Sequence, residues 1–351
     1  MIDAMNFCFL TNTPMPPNGR SVAVVGAGPS GLAAAGYLGG LGYQVDVYDK
    51  LPKAGGLMTF GIPGYRIPSR RIETGVKQLE RRYGVNFKLQ TKICCSAPLY
   101  EEEGDHFSWE MIALSDLVDT HNAVIICTGS WKSRQLGIPG EKLSGVFSGL
   151  EFLFPIRAAR YDASRVKTPD VEGKRLAVVG AGHSAIDVAH SALHLGAAEV
   201  RMIYRRTREE APCGEFEIDR LVELGAIWCP QASPTEVLGT DRVEGVTCSV
   251  KGCDKPVTYE TDMLVAAIGE IPTPPFADKL GMDNIRRGDV RWLNMTAVDN
   301  VFVAGDVLTG PSKIGKAVES GLKAARSLDN WLELKATDPK AEFHPHGYFC
   351  K

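Results

Sequence analysis

Two glycine-rich segments of this chain have residue types and spacing suited to binding phosphate groups. The first, Gly26-x-Gly28-x-x-Gly31, follows the apolar run VAVV, and the second, Gly180-x-Gly182-x-x-Ala185, follows the similar run LAVV. In such loops the first glycine permits a tight turn, and the second lets the backbone approach a pyrophosphate. The third position needs a small residue because helix and strand pack closely there. The sequence therefore predicts two sites for the pyrophosphate of a dinucleotide.

The residues at the end of the strand that follows each loop differ between the two copies. This difference predicts different ligands. Asp49 ends the strand after the first loop, where a carboxylate can accept hydrogen bonds from ribose hydroxyls. Arg205 and Arg206 hold the corresponding place after the second loop, where guanidinium groups would bind a 2′-phosphate. We therefore expect NADP(H) at the second loop. The alternatives are glycine-rich turns of an unrelated α/β fold, and arginines that form a solvated surface.

The elements needed to position these loops are present twice. Each loop lies between a buried strand and a helix, and a second strand follows, which is the βαβ pattern of a parallel sheet. Further helices are predicted over 70–83, 215–224 and about 314–334, and a small sheet insert over 85–93 and 107–114. Residues 155–169 have little pattern and are expected to be a connector.

Composition limits the possible classes of function. The chain has 351 residues, a net charge of −3 and 44% apolar residues, which is ordinary for a globular protein of two domains and does not favour nucleic acid or membrane partners. The short apolar N-terminal stretch predicts neither a signal peptide nor a membrane span, so we expect a cytoplasmic protein. The nine cysteines are scattered, without a CxxC, so we expect reduced thiols and no bound metal.

Three further segments carry a resemblance to a known family. The segment KAGGLMTFGIPGYRIP (53–68) closely resembles the GGxxxxGIPxxRxP motif of the glutamate synthase small subunit family. LGIPGEKLSGVFSGLEFL (136–153) resembles the linker of that family, and VFVAGDVLTGPSKIGKAVESGLKAA (301–325) resembles its C-terminal flavin motif. The resemblance implies an α/β protein with two Rossmann-like domains, of the pyridine nucleotide-disulfide oxidoreductase architecture. The expected domains are FAD-binding over 1–160 and 276–351, with an NADPH-binding domain inserted over 161–275.

The resemblance implies FAD at the first loop and NADPH at the second. Asp49 would bind the adenosine ribose and Asp306 the ribityl hydroxyls, and a helix start at 314–317 would stabilise negative charge on the flavin. The residues implied for FAD are Gly26, Gly28, Pro29, Ser30, Gly31, Asp49, Lys50, Gly56, Leu57, Ile62, Pro63, Arg66, Thr128, Gly129, Gly305, Asp306, Gly315 and Ala317. Those expected for NADPH are Gly180, Gly182, His183, Ser184, Ala185, Arg205, Arg206, Gly269 and Glu270.

The implied activity is hydride transfer from NADPH to FAD, which needs no acid or base from the protein, so no catalytic residue is expected. Glu270 is the nearest candidate for the nicotinamide end, although it could equally cap a loop. Members of the family usually carry N-terminal iron–sulfur clusters, whereas only about twenty residues precede the first strand here. An iron–sulfur partner, such as a ferredoxin or a glutamate-synthase-like large subunit, is therefore expected to receive the electrons.

Three alternatives remain open at this point. A disulfide reductase of the thioredoxin reductase type would need a thiol pair beside the flavin, and the adjacent Cys94 and Cys95 are the only substitute. A stand-alone NADPH:acceptor reductase would pass electrons to a small molecule. A scaffold that uses FAD only structurally is disfavoured because both glycine motifs are intact. The ends at 1–20 and 337–351 contain several aromatic residues and are interpreted as a docking surface, or else as a seal on the flavin domain.

Overall fold

The computed structural model describes residues 4–94, 102–162, 166–272 and 294–338. The chain divides into two compact units. The first unit comprises Met1–Thr59, Ile67–Lys132 and Ile271–Lys351, and the second comprises Phe60–Arg66 and Ser133–Glu270. Each unit is built on its own five-stranded sheet.

The first unit begins with the predicted strand, helix and strand around the first glycine loop. Its strands are β1 (Ser21–Val25), β2 (Gln44–Asp49), β3 (Asn86–Leu89), β4 (Thr91–Cys94), β5 (Glu110–Ala113), β6 (Ala123–Ile126) and β17 (Val301–Val303). Its helices are α1 (Pro29–Gly40), α2 (Leu57–Phe60, with its last residue in the second unit), α3 (Ser69–Tyr83), α4 (Leu114–Thr120), α8 (Asp306–Thr309) and α9 (Ile314–Thr337). A 3-10 turn lies at Asp105–Phe107.

The main sheet of the first unit is parallel, in the order β17-β6-β1-β2-β3. Val24 of β1 lies beside Val47 of β2 and Ile125 of β6, so the carboxyl ends of these strands meet at one edge. One face is covered by α1, α3 and α9 through residues such as Leu32, Leu79 and Leu328. The opposite face is covered by α4. Burial on both faces explains why the central strands β1 and β6, and the neighbouring β17, are nearly continuous apolar runs.

The second unit repeats this plan around the second glycine loop. Its strands are β8 (Val146–Ser148), β9 (Arg175–Val179), β10 (Glu199–Ile203), β11 (Ile227–Cys229), β12 (Ala232–Leu238), β13 (Gly245–Val250), β14 (Val257–Glu260) and β15 (Met263–Ala266). Its helices are α5 (Gly149–Ala158), α6 (His183–His194) and α7 (Glu215–Glu223). The two-residue strands β7 (Lys132–Ser133) and β16 (Glu270–Ile271) lie where the chain passes from one unit to the other.

The parallel sheet of the second unit has the order β11-β10-β9-β15-β8. Helices α5 and α6 cover one face, where Phe152 and Ile186 join the core. The other face is covered by a separate antiparallel sheet, β12-β13-β14, through residues such as Val237 and Val246. This covering sheet was not predicted, because β12 and β13 do not alternate regularly between buried and exposed residues.

The structure corrects two expectations about the middle of the chain. The first compact unit gives way to the second at Lys132/Ser133, and not near residue 160, because β8 pairs with β15 and α5 packs against the second sheet. The expected connector from Pro155 begins inside α5, which is started by a capping box between Ser148 and Glu151 and includes Pro155.

The expected insert over 85–93 and 107–114 is only partly correct. Strand β3 belongs to the main sheet, where it pairs with β2, and only β4 and β5 form a separate parallel pair. The break falls at Gln90, which has a φ of 57° and ends the run of extended residues.

The N-terminal segment lies against the first unit. Phe7 is 2% exposed and belongs to the core with α1 and α3, and the Met5 N–H donates to Arg71 O. The expectation that this segment is a docking surface is therefore wrong for Phe7, which is buried. Phe9 is 44% exposed. The aromatic residues of 339–351 and Cys350 lie outside the described residues. Within the described ranges, no helix has the length and apolar character needed to cross a bilayer.

Candidate functional site

The first glycine loop is closely packed on the protein side and open on the other. Gly26 has a φ of 106°, and a Cβ there would lie 2.4 Å from Cys127 O. A Cβ at Gly31 would lie 1.9 Å from Gly26 O, so this position also requires glycine. Gly28 differs, because its φ of −75° is ordinary and a Cβ there would meet no atom within 4 Å. The fold does not need glycine at Gly28, whereas a pyrophosphate passing over the loop would.

Segments distant in sequence meet at this loop. A Cβ at Gly56 would lie 2.9 Å from Gly28 Cα, and one at Gly305 would lie 2.8 Å from Ser30 Cβ. The Gly26 Cβ position is 3.2 Å from Thr128 Cα. The first unit therefore brings together four predicted parts of the FAD site: the loop, the turn at Gly56, the end of β6 and the start of α8.

The helix starts near this loop have free backbone donors. Pro29 occupies the first turn of α1, and neither Gly28 nor Lys313, the residues before α1 and α9, provides a side-chain cap. Gly315 and Ala317 lie in the first turn of α9, and a Cβ at Gly315 would meet nothing within 4 Å. Uncapped N–H groups of this kind attract anions and negative ring charge.

The Asp49 side chain forms hydrogen bonds with the backbone of the first glycine loop. Its carboxylate is 8% exposed and accepts hydrogen bonds from Ala27 N at 2.6 Å and Leu51 N at 2.8 Å. Burial raises the pKa of Asp49, against the effect of these two hydrogen bonds. The carboxylate thus fixes the turn between β1 and α1, a role that the sequence did not predict. Its expected bond to the ribose stays a prediction.

Asp306 follows Gly305 at the start of α8. Its carboxylate accepts a hydrogen bond from Ser312 Oγ at 2.6 Å, and its carbonyl oxygen accepts one from Ser130 Oγ at 2.9 Å. Gly305 N donates to Ser320 Oγ at 2.8 Å. These bonds hold the Gly-Asp turn beside the first loop, and the second carboxylate oxygen of Asp306 remains available to a hydroxyl-bearing ligand.

A pocket opens at the carboxyl ends of β1 and β2, beside Asp49. Lys50 and Trp131 line it, with the Lys50 ammonium 4.0 Å from the centre of the Trp131 ring. Lys50 also pairs with Asp105 at 2.9 Å, and Lys92 pairs with the same carboxylate at 2.5 Å. Lys50 was predicted, whereas Trp131, Lys92 and Asp105 were missed because they follow no motif spacing. Trp131 could have been suspected, since it lies two residues beyond Gly129.

The second loop repeats the geometry of the first. Gly180 has a φ of 129°, and a Cβ there would lie 2.3 Å from Ala267 O. Gly182 has a φ of −82° and open space around its Cβ position, as Gly28 has. Ala185 is buried under the first turn of α6, while His183 is exposed and Ser184 is half-buried at its start. This loop also fits a bound pyrophosphate.

Arg205 and Arg206 follow β10 and are both exposed. Within the described residues neither makes an ion pair, and the Glu210 carboxylate instead accepts hydrogen bonds from the backbone and hydroxyl of Thr207. The two guanidinium groups are therefore available to an anionic ligand. Gly269, with a φ of 103°, follows β15, the neighbour of β9, and Glu270 begins β16 at the end of the second unit.

The segment at 60–66 is the clearest departure from expectation. Ile62, Pro63 and Arg66 were expected beneath the flavin ring, but these residues belong to the second unit. There Arg66 pairs with Asp187 and Glu217. The flanking Gly56 and Leu57 remain in the first unit. Contact of Arg66 with the flavin stays a prediction.

The cysteines in the described ranges form no disulfide bond. Seven cysteines are free there, and Cys127, beside Ser30, is buried, which raises its pKa to about 12. Cys94 ends β4, while Cys95 lies outside the described residues. In the described part of the chain, no group of three or more His, Cys, Asp or Glu side chains could hold a metal ion.

The paired loops and the converging motifs agree with comparisons to known proteins. A family model described as pyridine nucleotide-disulphide oxidoreductase matches residues 20–321. The chain belongs to this family. It is therefore an NAD(P)H-dependent flavin oxidoreductase, with FAD and NADPH as its cofactors.

Curated relatives narrow the resemblance. The chain is 33% identical over 346 residues to the NADP(+)-dependent formate dehydrogenase subunit beta of Moorella thermoacetica, covering 93% of this chain but 46% of that protein. It is 31% identical over 353 residues to the glutamate synthase (NADPH) small chain of Azospirillum brasilense, covering 94% and 70%. The chain thus spans about half the length of the first relative and about two thirds of the second, and the predicted resemblance to the glutamate synthase small subunit is confirmed.

Solved structures confirm the fold. The Mycobacterium tuberculosis protein FprA in complex with NADPH matches with a TM-score of 0.73 at 19% identity, covering 94% of this chain and 88% of that chain. Thioredoxin reductase of Lactococcus lactis matches with a TM-score of 0.63 at 19% identity, covering 90% and 99%. The predicted architecture of two Rossmann-like domains is confirmed.

Proposed function

We propose that this oxidoreductase passes electrons from NADPH, through FAD, to an iron–sulfur protein or to a larger iron–sulfur subunit. The observation that carries the proposal is the difference between two otherwise matching loops. The first is followed by the buried carboxylate of Asp49, and the second by the exposed guanidinium groups of Arg205 and Arg206. One loop suits an unphosphorylated ribose and the other suits the 2′-phosphate of NADPH.

When bound, FAD would supply the chemistry, because it can accept a hydride from NADPH and release the electrons one at a time. The residues of this chain would bind and orient the two dinucleotides. Uncapped N–H groups at the starts of α1 and α6 would hold the two pyrophosphates. Asp49 fixes the first turn, and the side chains of Arg205 and Arg206 would select the coenzyme. No side chain is required as an acid or a base.

The identity of the acceptor is supported by the names of relatives. One relative is a beta subunit of NADP(+)-dependent formate dehydrogenase, and another is a beta subunit of NADPH-Fe(3+) oxidoreductase of Geobacter sulfurreducens. Such names indicate multi-subunit electron-transfer enzymes, which suits a flavoprotein component. The free thiols within the described ranges suit a reducing compartment such as the cytoplasm. A thioredoxin-reductase-like activity has no specific observation in its favour.

Anaerobic titration with each coenzyme tests the proposal. NADPH should bleach the flavin absorbance of the purified protein, and NADH should do so only at higher concentration. In the double variant R205Q/R206Q, each lost guanidinium–phosphate contact should cost about 1.5–3 kcal/mol of NADPH binding and leave NADH nearly unchanged. The control R81Q/R82Q removes two exposed arginines from α3 of the other unit. An equal loss for both coenzymes would contradict the role assigned to Arg205 and Arg206.

A further inference from the structure

A cluster of polar and charged side chains lies near the N-terminal half of α6. The proposed hydride transfer does not use these side chains. We call this group the Arg66 cluster; it contains Arg66, Tyr65, Asp187 and Glu217. Arg66 Nε donates to Asp187, and its two terminal nitrogens donate to both Glu217 oxygens at 2.8 and 3.1 Å. Tyr65 OH donates to Asp187 at 2.9 Å. All four residues belong to the second unit.

Both carboxylates of the cluster lie close to the second glycine loop. Asp187 is four residues beyond His183, the first residue of α6, which places it about 6 Å along the helix axis. Glu217 is in the first turn of α7, and this helix start is tied to the loop because Cys213 N donates to Ala181 O at 3.1 Å. The hydrogen bonds from Arg66 lower the pKa of Glu217, and the positive charge of Arg220 adds to this effect.

Carboxylates in this position oppose the proposed ligand. The start of α6 is where a pyrophosphate would bind, and two negative side chains nearby would repel it. Asp187 is 5% exposed, so water screens it weakly. Arg66 is the cation that contacts both carboxylates, and it offsets one of their two charges. Its bidentate contact with Glu217 also fixes the direction of that side chain.

We propose that Arg66 is a positioning residue of the coenzyme site, which neutralises and orients Glu217 and Asp187 so that α6 can accept the pyrophosphate of NADPH. This inference rests on the proposed function. It gives Arg66 a role toward the nicotinamide coenzyme, through the two carboxylates. This role predicts that loss of the Arg66 charge weakens NADP⁺ binding and that loss of the Glu217 charge strengthens it. An ion pair that served only the stability of the fold would not give these opposite effects.

The test is calorimetric titration of the FAD-loaded protein with NADP⁺, in about 20 mM and about 0.5 M salt. At low salt, R66Q should raise the Kd about fivefold to tenfold, and R66K should raise it less, because it keeps the charge but loses the bidentate contact with Glu217. E217Q should bind NADP⁺ more tightly than the wild type. The gain in E217Q should shrink at high salt, because the Glu217 side chain is partly exposed. The control R175Q breaks the pairs of Arg175 with Glu260 and Asp262 at the opposite end of β9 and should leave the Kd unchanged.

The outcomes separate this inference from the proposed function. Weaker binding by E217Q, or loss of binding in R66K equal to that in R66Q, would overturn the inference alone. E217Q keeps the contact between Arg66 and Asp187, so it remains informative if R66Q folds poorly. A wild-type protein that binds no NADP⁺ would overturn the proposed function, and this inference with it.

Discussion

Gly28 and Gly182 separate the requirements of the fold from those of the ligands. Gly26, Gly31 and Gly180 are required by the protein itself, because a Cβ at any of them would collide with backbone. At Gly28 and Gly182 the backbone conformation suits any residue and the Cβ position is empty. Sequence spacing predicted both loops, but it could not distinguish glycines that serve packing from glycines that leave room for a ligand.

This difference predicts variants that lose a ligand with little loss of stability. The ligand-free G28V protein should lose no more than about 1 kcal/mol of unfolding free energy relative to the ligand-free wild type, the cost of valine at the N-cap of α1. It should nevertheless purify without FAD, because the new side chain fills the path of the pyrophosphate. Flavin absorbance per chain and calorimetric unfolding are the measurements. Full flavin content in G28V would show that the first loop does not bind FAD.

G182V is the matched variant in the other unit. It should keep its FAD, since its loop lies in the second unit, and lose binding of NADP⁺. Both properties can be measured on one preparation of each protein: flavin content by absorbance, and then NADP⁺ binding by calorimetric titration. Loss of flavin from G182V to the same extent as from G28V would contradict the assignment of one ligand to each loop.

At the scale of elements, buried charge stabilises the pocket beside Asp49. Asp105 is 1% exposed and bonds to Lys92 and Lys50, whose positive charges, assisted by hydrogen bonds, lower its pKa against the effect of burial. D105N should cost about 3 kcal/mol of stability, because two lysines then lose their buried partner. The control D170N breaks the pair of exposed Asp170 with Lys174 and should cost no more than about 0.5 kcal/mol. Urea unfolding measures both.

The pH dependence of this cluster has a definite sign. Because the folded pKa of Asp105 lies below its ordinary value of 3.8, the ionised carboxylate stabilises the fold fully above that value. The contribution is lost as the pH falls through the lowered folded pKa. The stability difference between the wild type and D105N should therefore be constant near neutral pH and shrink below about pH 4. A difference that grows on acidification would contradict the ion-pair role of Asp105.

The N-terminal segment is a second element whose role was not predicted correctly. The aromatic residues of this segment favoured a docking surface. Phe7 instead packs against α1 and α3 at positions where these helices carry glycine. A Cβ at Gly36 would lie 2.0 Å from Phe7 O, and one at Gly75 would lie 2.1 Å from Met5 O. Helical periodicity can show that a face is apolar, but it cannot show that a distant segment of the chain will cover that face.

Gly75 tests this packing. G75A should displace the N-terminal segment and make it the first site of limited proteolysis, because the new Cβ meets backbone and the Phe7 ring. G40A is the control, since its Cβ would make only ordinary contacts of 3.4 Å or more with Thr11 and Leu10. Mass spectrometry of the early fragments identifies the cleavage site. Equal resistance of G75A and G40A would show that the segment does not depend on this contact.

For the whole molecule, motifs predicted the two sheets but not the boundaries between the two units. The order of strands, helices and glycine loops agrees with the expected pattern, because each βαβ unit buries its apolar residues locally. The assignment of Phe60–Arg66 and Ser133–Ala158 to the second unit depends on contacts with α6, α7 and β15, which are distant in sequence. No local pattern could have revealed those contacts.

The proposed partner leads to a prediction about iron. The chain studied alone should contain about one FAD, and NADPH should reduce it, but it should hold no iron–sulfur cluster. A cluster usually requires four closely spaced cysteine ligands, whereas the seven described cysteines are free and scattered over both units. Electron transfer should appear with artificial dyes at once and with an iron–sulfur acceptor only when that protein is added. Flavin, iron and acid-labile sulfide are measured on the same sample, and a reconstituted iron–sulfur protein serves as the control. Stoichiometric iron and sulfide in the pure single chain would contradict this prediction, because the electrons could then leave the flavin without a partner.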